Sequence, residues 1–161
     1  MATAHLIHGY LGAGKTTFAR RLEAELPALR FSHDEWMSRL YGEDPPQAEF
    51  AENHRRVWDL METLWPRALR LGLDVVLDLG FWRRAERDRA RELAKAIGAE
   101  VRLYALSCPD DVAWARIEAR NRAPDGALLI TRNTFEVLRA GFEPLDVDVD
   151  EEALARPSDS R

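Results

Sequence analysis

Residues 9–16 read Gly-Tyr-Leu-Gly-Ala-Gly-Lys-Thr, the pattern G-x-x-x-x-G-K-T. Residue types at this spacing wrap a chain of phosphates in backbone N–H groups. Gly9, Gly12 and Gly14 permit positive φ and close approach of the backbone. Ala13 completes the loop, and Thr17 extends it into the helix that must follow. Lys15 brings a point charge to the β/γ-phosphates, and the Thr16 hydroxyl is a ligand for Mg²⁺. ATP and Mg²⁺ are the expected ligands, since no N/T-K-x-D guanine motif occurs. By composition alone the match has odds of roughly one in a few thousand.

Two carboxylates follow candidate strands. Asp34 comes after residues 29–32, and Asp78 after the apolar run 75–77. Beside a phosphate loop, one such group can accept the proton of an attacking hydroxyl and the other can hold Mg²⁺ through its water shell. Position favours Asp34 as the base and Asp78, with Thr16, for the metal. The residue types alone leave the roles exchangeable. Asp34 could equally cap a helix, and Asp78 could be a turn carboxylate.

Arg116 and Arg120, four apart, share a helical face, and Arg122 follows in a polar break. Arginines on such a segment can neutralise charge on a transferred phosphoryl group. A solvated basic face is the competing reading, and it is the stronger one for Arg132. Trp36 and Trp82 could stack on an acceptor ring, although packing explains them as well. Arg83 and Arg87 could hold an anionic part of that acceptor, or belong to a charged helix face. Trp58, Trp65 and Trp114 read as core, His33 could tune Asp34, and His54 belongs to no ligand pattern.

These residues need a scaffold, and the hydropathy pattern supplies one. Residues 4–8 form a short apolar strand. Phe18, Leu22 and Leu26 then mark an amphipathic helix. A short strand over 29–32 leads to a helix over 34–40. A long helix spans about 47–71, with apolar Phe50, Val57, Leu60, Met61, Leu64 and Leu71 and an internal Pro66 that should kink it. After the strand at 75–77 come a charged helix over 83–97 closed by Gly98, a strand over 101–106 and a helix from Pro109 to about Arg120. Asn133 with Glu136 resembles a capping box for a last helix ending at Gly141, before a short strand over 145–149. Alternating strand and helix imply a parallel sheet with helices on both faces, and ligands at the C-terminal ends of its strands.

The chain has 161 residues, enough for one domain with a sizeable core. That domain is expected over 1–156, with a disordered tail over 157–161. One cysteine, Cys108, excludes an internal disulfide. The first residues carry no leader pattern, so a reducing cytoplasm is the expected location. No apolar run approaches the roughly 20 residues of a membrane span. The net charge of −5 argues against nucleic acid as a partner. Of 23 Lys and Arg residues only Lys15 and Lys95 are lysine, so a single arginine means little here and a lysine means more.

The string of motifs resembles the small P-loop kinases of the AAA_33 type, which are similar to zeta toxins, chloramphenicol phosphotransferase, gluconate and shikimate kinases, and polynucleotide 5′-kinases. The resemblance runs through nearly the whole chain. It takes in G-Y-L-G-A-G-K-T-T, S-H-D-E-W, G-L-D-V-V-L-D, F-W-R-R-A-E-R-D-R, C-P-D-D-V, R-I-E-A-R-N-R and G-F-E-P-L-D. It implies a three-layer fold with a five-stranded parallel sheet in order 2-3-1-4-5 and a short lid bearing arginines. It implies transfer of the γ-phosphoryl group of MgATP to a hydroxyl, with Asp34 at the acceptor's base. It further implies Arg116 toward the adenine, Arg120 and Arg122 toward the phosphates, and Arg132 toward the substrate. Leu79-Gly80-Phe81-Trp82 stands where shikimate kinases carry a glycine triplet.

The leading expectation is a small-molecule kinase acting on a metabolite or antibiotic. A nucleotide-binding switch or slow ATPase acting on a partner is the alternative. A nucleic-acid 5′-hydroxyl kinase fits less well, for lack of a basic track. The sequence leaves the acceptor and the oligomeric state open.

Overall fold

The structure, a computed structural model, describes residues 1–123 and 125–145 and the backbone of a last strand over 154–157. The chain alternates β1 (Thr3–His8), α1 (Lys15–Glu25), β2 (Ala28–Ser32), α2 (His33–Tyr41), α3 (Gln47–Arg70), β3 (Asp74–Gly80), α4 (Arg84–Ile97), β4 (Glu100–Ser107), α5 (Asp110–Arg122), α6 (Arg132–Leu138) and β5 (Leu154–Pro157). The strands form a five-stranded sheet in order β2-β3-β1-β4-β5. Every pairing is parallel.

β1 lies at the centre and is buried along its whole length. Strands covered on both faces must be apolar on both, and β3 shows this with Val75, Val76 and Leu77. Successive side chains then enter different cores. Leu6, Val75, Leu77 and Leu103 pack with Val57, Met61 and Trp65 of α3 and Ala90 and Ala94 of α4. Ile7, Val76, Tyr104 and Leu106 pack with Phe18, Ala19 and Leu22 of α1. Each fully buried large side chain contributes about 1.5–3 kcal/mol. The consequence for function is positional: all strand ends point the same way, so the loops after β1, β2 and β3 meet above one edge.

Several sequence expectations need correction. A strand at Leu154–Pro157 pairs with the second half of β4, from Tyr104 to Ser107. Residues 146–150 and 158–161 lie outside the described residues, so the expected strand and most of the expected tail fall there. Pro157, which cannot donate a backbone hydrogen bond, suits this edge position. Leu60 and Leu71 do not join the apolar face of α3 and are 47% and 79% exposed. Leu71 falls after the last turn, and the buried stripe instead runs through Val57, Met61, Trp65, Ala68 and Leu69. α3 continues as one helix through Pro66. The cap of α6 is Thr131, whose hydroxyl accepts from Thr134 N at 3.1 Å, two residues before the predicted Asn133. That helix stops at Leu138, and a 3₁₀ turn carries the chain to Gly141.

Candidate active site

The phosphate loop is held by its neighbours at each glycine. A Cβ on Gly9 would stand 2.7 Å from Leu106 O, and one on Gly12 would stand 2.5 Å from Ala113 O. Both obstacles are backbone, so neither can swing away. Gly14, at φ 91°, caps α1 in the left-handed region. Arg116 reaches over the loop from α5, with a guanidinium nitrogen 3.5 Å from Gly12 O. Lys15 Nζ donates to Tyr10 O at 2.8 Å. Burial pushes the Lys15 ammonium below the usual lysine range, against the opposing pull of Asp78 and Asp34.

Asp78 sits deep at the end of β3, 6% exposed. Its Oδ2 accepts from Thr16 Oγ1 at 2.8 Å and from Ser32 Oγ at 3.2 Å. Burial raises its pKa above the ordinary carboxylate value, although Lys15 and Thr16 work against the rise. A carboxylate and two hydroxyls make a hard-oxygen donor set, which fits Mg²⁺ bound by few protein ligands and several waters. Among the described residues no group of three or more His, Cys, Asp or Glu could hold a metal. Magnesium beside phosphates does not require one.

Asp34 is not the helix cap. Ser32 takes that place, and Asp34 lies in the first turn of α2 with its side chain 60% exposed. A negative charge there is favoured by the helix dipole. Partial desolvation by the surrounding protein opposes its ionisation, but the hydrogen bond and charge of His33, then Lys15 and Arg120, hold the carboxyl below its usual range. Thus the two carboxylates are pushed in opposite directions, Asp78 up and Asp34 down. Separation of this kind assigns different roles to chemically identical groups.

Arg120 completes the cluster. Its charge acts on both Lys15 and Asp34, and its Nε is buried without a hydrogen-bond partner. A clasp two bonds wide fixes the segment that follows. Asn121 donates Nδ2 to Ile130 O at 2.7 Å and accepts from Ile130 N at 3.2 Å. Leu129 N donates to Glu43 O at 2.9 Å, and Leu128 is buried in the core with Phe31 and Phe81. The chain after α5 is therefore tied to the α2–α3 connection, on the Asp34 side.

Other predicted residues are used differently. Arg122 points outward and pairs with Glu118 at 3.5 Å, because it lies two residues, a little over half a turn, from Arg120. Arg87 is fully buried and donates to Phe81 O at 3.0 Å and to Glu143 O at 3.3 Å. It is a strut between two loops, with no face for a substrate. Trp82 donates Nε1 to Gly9 O at 3.0 Å and packs on Tyr10, so it bolts the β3–α4 turn to the phosphate loop. Trp36 packs on Phe31; two residues along a helix place it away from Asp34. Arg132 lies over the Trp114 ring and pairs with Glu136 at 2.7 Å. Arg83 stays near the site: it caps α4, is exposed, and its charge is felt by His54. Thr17 is exposed on α1.

Sequence reasoning missed three features. Phe81 adopts φ 46° directly after Gly80 at φ 79°. A left-handed bulky residue is strained, by about 1–3 kcal/mol. Its carbonyl is held by Arg87 and faces the His8 ring at 3.0 Å. Asn121 gave no sign of its clasp, since its partner lies nine residues on. The third feature is a row of rings on α3. Phe50, His54 and Trp58 are four apart, and His54 faces His33 at 4.1 Å between ring centroids. Phe50 and Trp58 read as core and His54 as part of no ligand pattern, and His33 beside Asp34 was the only hint of the rest.

Comparison with known proteins follows this geometry. The AAA_33 family model, an AAA domain, matches residues 5–145. No curated relative matches the sequence. Among solved structures, the fold is similar to that of a provisionally assigned kinase from Chloroflexus aurantiacus j-10-fl, with TM-score 0.76, 16% identity, and coverage of 98% of this chain and 88% of that one. Kti12 of Chaetomium thermophilum, solved with ADP-AlF3, gives 0.73 at 19% identity over 97% of this chain and 89% of that one. A gluconokinase from Sinorhizobium meliloti 1021 gives 0.65 at 16% identity, covering 99% and 84%. At these identities the likeness is one of fold.

Proposed function

We propose, from the premise that the chain belongs to the AAA_33 family of P-loop kinases, that it transfers the γ-phosphoryl group of MgATP to a hydroxyl of a small molecule. The carrying observation is Asp34. An ionised carboxylate stands open to solvent within the charge field of Lys15 and Arg120, apart from the buried Asp78–Thr16 pair. A second carboxylate, open to solvent beside the phosphate loop, suits an acceptor hydroxyl and is not needed to bind nucleotide.

The roles follow from placement. N–H groups of the loop through Thr16, at the start of α1, receive the phosphates, with Arg116 above the loop. Thr16 and Asp78 would hold Mg²⁺, which supplies charge neutralisation on the phosphate oxygens. Asp34 accepts the proton of the acceptor hydroxyl; that oxygen bonds to phosphorus as the β,γ-bridging oxygen departs with ADP. Lys15 and Arg120 stabilise the charge on the group in transit. Arg83 stands at the rim of the acceptor side. The reaction would be carried by one domain over 1–156, in the cytoplasm. Among the described residues no helix is long and apolar enough to cross a membrane.

A second reading, slow hydrolysis in a nucleotide-dependent switch, is favoured by the same exposure of Asp34, since water can reach it. Transfer of labelled γ-phosphate decides between them. Parallel reactions hold a pool of hydroxyl compounds, 5′-hydroxyl oligonucleotides, or water alone. Label in a small molecule, abolished by Asp34→Asn, is the expected result. Label released only as free phosphate, unaffected by Asp34→Asn, overturns the kinase reading.

A further inference from the structure

We propose that the acceptor carries its hydroxyl on a flat ring system, and that this ring seats against His54 and Trp58 of α3. The inference rests on the reading of Asp34 as the carboxylate that receives the hydroxyl. It begins with the geometry of the ring row. Centroids of Phe50, His54 and Trp58 succeed one another at 6.2 and 6.1 Å. The planes of His54 and Trp58 differ by only 14°, so the plate they form is a pair of nearly parallel, stacked rings. All three are half-buried and keep contact with solvent.

The plate stands beside Asp34. His33, whose Nδ1 is 3.7 Å from Asp34 Oδ1, donates its Nε2–H to His54 O at 3.2 Å. The charges of Asp34 and Arg83 both act on the His54 ring. At the other end, the Trp58 ring meets Phe81 edge-on, at the end of β3 beside the phosphate loop. A body lying on this plate therefore has Asp34 within reach of its edge.

Its chemistry selects flat partners. Burial, and after it the proximity of His33, bring the His54 pKa down to about 4. At neutral pH the imidazole carries no charge for an acidic acceptor to meet. The Trp58 indole N–H is occupied by Glu62 Oε1 at 3.3 Å. What remains toward solvent is ring surface, which rewards stacking and offers little to a polyol. Of the two tryptophans singled out from the sequence, Trp82 is bonded to Gly9 and Trp36 packs on Phe31.

The test uses the full chain with three flat-ring alcohols (adenosine, pyridoxine and 2-phenylethanol) and two ring-free ones (gluconate and sorbitol). Binding is read by saturation-transfer NMR with the nucleotide site filled by AMPPNP. Phosphorylation is read by mass with MgATP. Flat-ring probes are expected to bind, and the arms separate a nucleoside from an aryl alcohol. Trp58→Leu should raise their KM by about tenfold or more, with kcat within about threefold. If that variant does not fold, His54→Gln should show the same split. Asp34→Asn should retain flat-ring binding and lose transfer. Binding without transfer in the wild type overturns the kinase reading and leaves the plate standing. Transfer to gluconate or sorbitol with KM unmoved by Trp58→Leu, or no binding by any flat-ring probe, overturns the plate.

Discussion

The two ends of the crevice are built on different principles. At the phosphate end the contacts are made by backbone. Glycines lie against Leu106 O and Ala113 O, Trp82 is bonded to Gly9 O, and Gly9 N donates to Gly80 O at 3.2 Å. At the end proposed for the acceptor, the groups are side chains from separate elements: Asp34 and His33 of α2, His54 and Trp58 of α3, and Arg83, the cap of α4. Backbone recognition suits a ligand part that never varies, because phosphate oxygens look alike in every nucleotide. Side-chain recognition can change by substitution without disturbing the sheet. The rigid end therefore speaks of the family, and the variable end of the individual protein.

The largest effect should come from breaking the rigid end. Lys15→Ala is expected to lower kcat/KM by about 10³-fold or more, since it removes a preorganised charge on the transferred group. Gly12→Val should abolish nucleotide binding, measured calorimetrically, because its Cβ meets the backbone of Ala113. A Gly12→Val protein that binds ADP normally would mean that α5 yields, and the contrast between the ends would fail.

Asp34→Asn should reduce transfer by about 10²–10⁴-fold while leaving ADP affinity unchanged, and should lower the thermal midpoint slightly, since its lowered pKa makes the charged form stabilising. Loss of ADP affinity would place Asp34 with the phosphates instead. Asp78→Asn sharpens the contrast between the carboxylates. Burial raises the Asp78 pKa above its unfolded value. Its contribution to stability is thus complete below the unfolded pKa and is lost as pH rises through the folded one. At pH 7 the charged form is a cost. The variant should lose activity by about 10²-fold yet unfold at the same or a higher temperature. A clear fall in the midpoint would refute the assignment of burial as the dominant influence.

Asn121→Ala should have a smaller effect, about tenfold on kcat, with nucleotide affinity retained, because it releases the segment that follows Arg120 rather than a ligand. Faster amide exchange at Ile130 would accompany it. The smallest effect concerns acid. The folded pKa of His54, about 4, lies below its ordinary value of 6.5. The associated stability is present above pH 6.5 and is lost as pH falls toward 4. His54→Leu should flatten the stability profile over that window in denaturant titrations at a series of pH values.

The sequence determined a good deal by itself. The spacing of Gly9, Gly12, Gly14, Lys15 and Thr16 announced the phosphate loop, and the hydropathy periods placed the parallel sheet and most of its helices. Those signals are local, since a loop that binds through its own backbone must write its requirements into consecutive residues. What the sequence left open was decided by contacts between distant residues. Arg87 and Trp82 looked like ligands and became struts, because the turn at Gly80–Phe81 needed partners for its carbonyls and its neighbour. Trp58 looked like core and His54 like part of no site, yet both stay half-open on α3, because α3 packs with only part of its apolar face inward. Which of two aspartates is held ionised and which is pushed toward its neutral form depends on burial and on the charges around it. Those quantities exist only once the chain is folded, so only the tertiary structure could settle them.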